Sequence, residues 1–296
     1  VTGLCVDSEY GPMPDWDVSQ VTDMTDAFKD LEVFNADISN WNVSNVTIMN
    51  NMFNNAESFN QPIGNWNVSN VTTMRGMFQG YNNINLNSFN QPIGDWDVSN
   101  VTDMYFMFRY SSSFNQDIGA WEVSNVTNMT GMLSFTPFNQ DIGGWDVSKV
   151  TSMSLMFYST SFNQNIGNWD VSSVTDVYAM FAIATQFNQD ISGWNVSSVT
   201  SIQAMFYYAT SFNQDISSWD VSNVTSMQQT FTGASVFNQP LNDWDVSNLT
   251  SMIETFKGAS SFNQPIGNWD VSNVTNMDET FKGASSFNQP IGNWDV

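Results

Sequence analysis

A repeat solenoid of about eleven stacked coils is the fold this sequence predicts, and three observations predict it. All twelve tryptophans fall in one register, from Trp16 and Trp41 through Trp66, Trp96, Trp121, Trp145, Trp169, Trp194, Trp219, Trp244 and Trp269 to Trp294. Eight of the eleven intervals between them are 25 residues, two are 24 and one is 30. The same words recur around each Trp: W-[DN]-V-S-N-V-T-x-M-x-x-[MT]-F, a short variable stretch, then F-N-Q-[PD]-I-G-N. A fixed period of this length marks units that cannot bury an apolar face alone and stack to do so.

Residues 1–14 lack the repeat text and read as an N-terminal cap, and the array runs over 15–296. Counting from each Trp as zero, I-G-N-W-D-V carries apolar residues at −3, 0 and +2, which is the L-x-x-L-x-L pattern of a leucine-rich-repeat strand. Alternation then turns +1 and +3 outward. Val at +5, Met at +8 and Met-Phe at +11 and +12 follow a spacing of three and four, which predicts a short helix or helical turns on the opposite side. Thr at +6, present in all eleven complete units, is placed to cap that helix. Each coil is therefore expected to hold one short strand and one short helix or a pair of helical turns. The Trp row and two Phe per coil, such as Phe256 and Phe262, read as core. The Asn column at −6, Asn35 to Asn288, reads as a buried amide ladder between coils. Pro and Asp alternate at −4 as turn residues.

The repeated words F-N-Q-[PD]-I-G-x-W-D-V-S-N-V-T-x-M-x-x-M-F, from about Asp15 to Val296, resemble the unit of the BspA-like leucine-rich-repeat surface proteins, which include tandem-repeat surface lipoproteins of Listeria and Mycoplasma relatives. That resemblance implies a leucine-rich-repeat-like solenoid displayed on the cell or virion surface, acting in adhesion or surface architecture. The units here are mostly 25 residues where the family's are typically one longer, and the chain shows no recognisable lipid or wall anchor.

Composition narrows function further. Acidic residues number 29 against 6 basic ones, a formal charge of −23. Nucleic-acid binding requires clustered Lys and Arg to displace counterions, so it is excluded. No apolar run approaches the roughly 20 residues of a membrane span, so no membrane insertion is expected within this segment. There is no histidine and a single cysteine, Cys5, and no nucleophile and base are singled out, so the chain is not expected to be an enzyme. No cofactor is expected other than calcium. Its candidate ligands are the outward +1 carboxylates Asp97, Asp146, Asp170, Asp220, Asp245 and Asp270, hard oxygens recurring once per coil. Asn45, Asn70, Asn100, Asn125, Asn223 and Asn273 head N-x-S/T triplets and are candidate glycosylation positions.

Departures from the repeat point to contacts. The interval Trp66 to Trp96 holds five extra residues near 81–87, expected to bulge as a loop. With Tyr81, the residues Tyr105, Phe106, Arg109, Tyr110, Tyr178, Tyr207 and Tyr208 form the candidate partner contact, since Tyr and Arg are favoured in interfaces. The partners expected are surface or matrix proteins, or further copies of the chain. The alternative is a glycan-binding or ice-binding face, the latter through the Thr column. The final unit is regular and stops in mid-repeat, which predicts more chain after residue 296 or end-to-end stacking.

Overall fold

The computed structural model describes residues 12–295. The chain divides into two compact units, Val1–Asp146 and Val147–Val296. Of the expected cap, residues 1–11 lie outside the described ones, and Met13–Asp15 forms one 3-10 turn.

In unit 1 each coil is a string of β-turns. In the second coil the Trp41 N–H closes on Ile38 O at 3.1 Å, Val46 on Val43 at 2.9 Å, Asn54 on Asn51 at 3.0 Å and Ala56 on Phe53 at 3.1 Å. The intervening N–H groups reach to the neighbouring coil. Met49 donates to Thr73 O at 3.1 Å, Asn51 to Arg75 O at 2.7 Å, Phe53 to Met77 O at 2.8 Å and Asn55 to Gln79 O at 2.7 Å. Alternate donors thus serve the coil and the stack, which leaves few backbone groups orphaned. The geometry requires positive φ at +10 and at +14, 52° at Asn51 and 57° at Asn55, the third position of a turn that demands the left-handed region.

Unit 2 repeats the scheme. Leu155 donates to Tyr178 O at 2.8 Å and Phe157 to Met180 O at 3.0 Å, with φ of 59° at Leu155 and 58° at Ile183.

The expected strand and helix are therefore both corrected. Among the described residues no α-helix forms. The parallel pairing consists of single bridges, nearly all at +7: Asp23, Ile48, Thr73, Asp103 and Asn128 in unit 1, and Ser152 with Asp176, then Ser201, Ser226, Ser251 and Asn276 in unit 2; Asn87 with Ser111 adds one beside the insertion. The physical reason lies on the side where a helix was expected. Phe53 and Phe78 of successive coils stack there at 5.6 Å, while an α-helix is about 10 Å across. A helix also spends its N–H groups on itself and would leave the next coil unbonded.

The core columns are as expected. Ten of the twelve Trp are buried, and Trp16 and Trp294, at the ends of the described stack, are half-buried. Trp96 and Trp121 lie parallel with centroids 6.5 Å apart, as do Trp194 and Trp219. Within each unit the indole N–H groups donate to the −3 carbonyl of the coil before, as Trp66 does to Ile38 at 3.2 Å and Trp219 to Ile191 at 3.1 Å. Within a coil Phe53 and Phe59 stack at 3.8 Å. Burying one such ring contributes on the order of 2–3 kcal/mol.

Two side-chain columns differ from expectation. Thr at +6 caps no helix; its N–H and hydroxyl both donate to the Thr carbonyl of the preceding coil, at 2.8 and 3.1 Å for Thr47 on Thr22, and the residue is exposed. The −6 Asn column is a ladder, but at the surface. Asn35 Oδ1 accepts from the Asn60 N–H at 3.0 Å and from Gln61 Nε2 at 2.9 Å, and Asn35 is exposed.

Candidate functional site

Three exposed polar columns follow from the coil. The +1 carboxylates are exposed as expected, and those of Asp97, Asp170, Asp220, Asp245 and Asp270 each close a small turn on the Ser at +3. Asp97 accepts from the Ser99 N–H at 3.1 Å and hydroxyl at 2.6 Å. Asp170, Asp220, Asp245 and Asp270 do the same with Ser172, Ser222, Ser247 and Ser272, and Asp146 is likewise exposed. These hydrogen bonds, the hydroxyl's first, hold the carboxyls of Asp97, Asp220, Asp245 and Asp270 below their ordinary range. Asp220 and Asp270 push Asp245 slightly the other way, so neighbours in the column sense one another. Among the described residues no three His, Cys, Asp or Glu side chains converge as a metal site.

At +4, all six candidate glycosylation residues use Nδ2, the atom a glycan would take, as a bond between coils. Asn45 donates to Ser19 O at 2.7 Å, Asn70 to Ser44 O at 2.7 Å and Asn100 to Ser69 O at 2.8 Å; Asn125, Asn223 and Asn273 donate to Ser99, Ser197 and Ser247. The Thr column at +6 completes the set. It is exposed, with one hydroxyl per coil whose proton is committed to a carbonyl.

In unit 1 the departures from the repeat come together. The insertion is tied down at its base: the Gly80 N–H donates to Arg109 O at 2.8 Å, Asn87 to Tyr110 O at 3.1 Å, and Asn85 Nδ2 to Glu57 at 2.6 Å. Its tip leaves Tyr81 70% and Ile84 86% exposed. Beside that base runs a line of stacked groups. The Arg75 guanidinium sits 4.6 Å over Tyr105 and pairs with Asp103 at 2.8 Å. Tyr105 and Phe106 centroids are 3.9 Å apart. Arg109 lies 4.3 Å over Phe106 and 4.9 Å over Tyr110, and Tyr110 stacks on Phe135 at 4.2 Å. Tyr105, Phe106, Arg109, Tyr110 and Phe135 are all half-buried, so the line forms a surface platform.

The platform exists because of the coil's left-handed positions. Phe106, Tyr110 and Phe135 have φ of 54°, 61° and 57°, a conformation costing a non-glycine residue roughly 1–2 kcal/mol. The Phe106 ring lies so closely over Gly131, the same column of the next coil, that no Cβ fits there. Sequence reasoning named Tyr81, Tyr105, Phe106, Arg109 and Tyr110 but missed Arg75, Gly131 and Phe135. Column position would have found them, since Arg75 shares +9 with Tyr105, Gly131 shares +10 with Phe106, and Phe135 shares +14 with Tyr110.

The remaining contact candidates lie in unit 2. Tyr207 packs against the buried Ala179, Ala182 and Ala204, and Tyr208 meets it edge-on at 4.7 Å. The Tyr208 ring covers Gly233, where a Cβ would come within 2.7 Å of it. Tyr178 and Tyr208 remain 43% and 47% exposed.

The profile of one protein family, described as "Mycoplasma protein of unknown function, DUF285", matches residues 6–88, 82–161, 134–243 and 214–296. The chain belongs to this family. Four overlapping matches along one chain accord with the tandem coil seen in both units, so this is a tandem-repeat protein. Two solved structures are similar in part. One is a leucine-rich-repeat protein from Bacteroides ovatus, with 10% identity, 82% of this chain and 76% of that chain covered, and a TM-score of 0.22. The other is the functional domain of InlJ from Listeria monocytogenes, which includes a cysteine ladder, with 13% identity, 87% of this chain and 58% of that chain covered, and a TM-score of 0.28. A search of curated proteins finds no match. Among the described residues no helix is long and apolar enough to cross a membrane.

Proposed function

We propose that the chain is a non-enzymatic, leucine-rich-repeat-like protein displayed outside the cell, where it makes protein or cell-surface contacts. The observation that carries this reading is the platform of unit 1. Half-buried Tyr, Phe and Arg side chains are the residue types that anchor protein interfaces. They stand beside a fixed insertion that exposes Tyr81 and Ile84, on a coil whose outward columns at +1, +4 and +6 are polar. Beads coated with the chain should adhere to a matrix-protein surface, and adhesion should drop with Tyr81→Ser, Phe106→Gly and Tyr110→Asn combined. Gly and Asn already occupy those columns at Gly131 and Asn55, so this variant keeps the coil. Equal adhesion by the variant would overturn the reading.

A second reading, a ligand-binding face, draws on two features: the exposed rings of Tyr178 and Tyr208 as sugar platforms, and the exposed Thr column as an ordered row of hydroxyls. A glycan array together with a thermal-hysteresis measurement tests both forms. Silence in both leaves only the contact reading.

A further inference from the structure

We infer that Arg109 is the anchor for a carboxylate on a protein partner, held ready by the rings around it. The inference rests on the contact reading above and names the chemistry of the partner's central residue.

Charge pairing carries the argument. Among the described residues, Lys29 pairs with Asp26, Arg75 with Asp103, Lys257 with Glu254 and Glu279, and Lys282 with Glu279. Arg109 pairs with no carboxylate among the described residues, in a chain with 29 acidic residues against 6 basic ones. Scarcity of acids is not the reason. The local coil surrounds it with rings instead: Phe106 at 4.3 Å, Tyr110 at 4.9 Å and Phe135 at 5.9 Å.

Geometry then says which edge is offered. Arg109 Nε is buried and makes no hydrogen bond. The two Nη nitrogens make none either among the described residues, yet they are not among the buried unpaired atoms, so that edge meets solvent. A guanidinium whose plane is fixed by stacked rings and whose Nη edge is free matches the two oxygens of a carboxylate in a forked pair. The same rings cover the face of the guanidinium and lower the polarity around it, which strengthens a pair on its free edge relative to a fully exposed ion pair. Tyr81 and Ile84, one and four residues past Gly80, supply an apolar rim for the segment carrying the acid. The formal charge of −23 opposes an acidic partner at long range, but at physiological salt that field is screened beyond about 8 Å. Only a short, specific contact survives such screening, and Arg109 provides one.

The test pans a displayed library of random peptides against the chain, and discards those that still bind the Tyr81→Ser, Phe106→Gly, Tyr110→Asn variant. The expected survivors carry an Asp or Glu at one fixed position. Arg109→Gln should weaken them by about tenfold and Arg109→Lys by less, because Lys keeps the charge but loses the fork. Changing the peptide's acid to its amide should cost nothing further in Arg109→Gln. Survivors without a fixed acid, or unmoved by Arg109→Gln, overturn the carboxylate anchor and leave the contact reading standing. An absence of any platform-dependent peptide overturns the contact reading, and the anchor with it.

Discussion

Units 1 and 2 are built on one backbone and differ in what they place on its left-handed turns. In unit 1 these positions carry Asp26, Asp30, Asn51, Asn55 and Gly76, then Phe106, Tyr110, Gly131 and Phe135. In the later coils of unit 2 the +14 position becomes Gly233, Gly258 and Gly283, while +10 becomes Gln229, Glu254 and Glu279. There Gln229 bonds Glu254 at 2.8 Å, and Lys257 bridges Glu254 and Glu279 at 2.8 and 2.6 Å. Those carboxylates hold the Lys257 ammonium well above its ordinary range. The +11 column changes too. Buried Met52, Met77, Met107 and Met132 in unit 1, and Met156, Met180 and Met205 in the first coils of unit 2, give way to buried Thr230, Thr255 and Thr280 in its last three. Each of those hydroxyls lies between two +8 carbonyls, at 2.8 and 3.1 Å for Thr230. The same coil is thus closed by a lysine between two carboxylates and by buried hydroxyls in the last coils of unit 2, and by aromatic and cation stacking in unit 1. The lesson is that the backbone hydrogen bonds set the coil, and side chains at +10 to +14 are free to vary. That freedom is where a contact surface can be placed.

The largest effect is expected where the two units agree. Trp121→Ala in unit 1 and Trp219→Ala in unit 2 should each cost about 3–5 kcal/mol, because each leaves a ring-sized cavity and removes one of the two hydrogen bonds to a −3 carbonyl. Half-buried Trp294→Ala should cost clearly less. Denaturant titration of the three variants measures this, and equal losses would mean the Trp columns are not the shared core.

A smaller effect separates the units. Gly131→Ala drives a methyl into the Phe106 ring and strains a φ of 55°, whereas Gly258→Ala meets only Gly233 backbone at 3.7 Å. We expect about 2–3 kcal/mol for the first and roughly 1 for the second. Ring-current shifts at Phe106 should change in the first alone.

Next comes a gain. Ile183 is β-branched at φ 58°, in the column that holds Asn55 in unit 1. Ile183→Asn should raise stability by roughly 0.5–1 kcal/mol, read as a higher melting midpoint. A lower midpoint would show that packing of the Ile183 side chain outweighs the strain.

Acid should act through the +1 column. The carboxyls of Asp220, Asp245 and Asp270 are depressed in the folded chain. Their contribution is therefore present above the unfolded value of about 4 and lost as pH falls through the folded one. Replacing all three with Asn, which already closes the same turn at Asn195, should flatten melting against pH below about 4 relative to the parent. Parallel profiles would count against it.

The smallest effect is the calcium expectation. Millimolar calcium should raise the midpoint more than sodium chloride of equal ionic strength, through neighbouring carboxylates such as Asp220, Asp245 and Asp270. Abolition of the excess in the same Asn variant would place it on that column, and an excess that persists would place it elsewhere.

By itself the sequence determined the register of this protein. The Trp spacing set the coil length, the apolar columns at −3, 0, +2, +5, +8 and +12 set the core, and the Asp, Ser and Thr columns set the polar outside. All of these are one-dimensional patterns that any stacked repeat must show. The tertiary structure alone decided the conformation inside the coil. A three-and-four spacing of Val46, Met49, Met52 and Phe53 fits a helix as well as it fits consecutive β-turns, because both bring every third or fourth side chain inward. What separates them is where Met49, Asn51, Phe53 and Asn55 send their N–H groups, and only the neighbouring coil, at aromatic stacking distance, supplies those acceptors. The platform follows the same logic. Tyr105, Phe106, Arg109 and Tyr110 stand out in the sequence, but Arg75, Gly131 and Phe135 belong to other coils. Stacking is what carries them into contact.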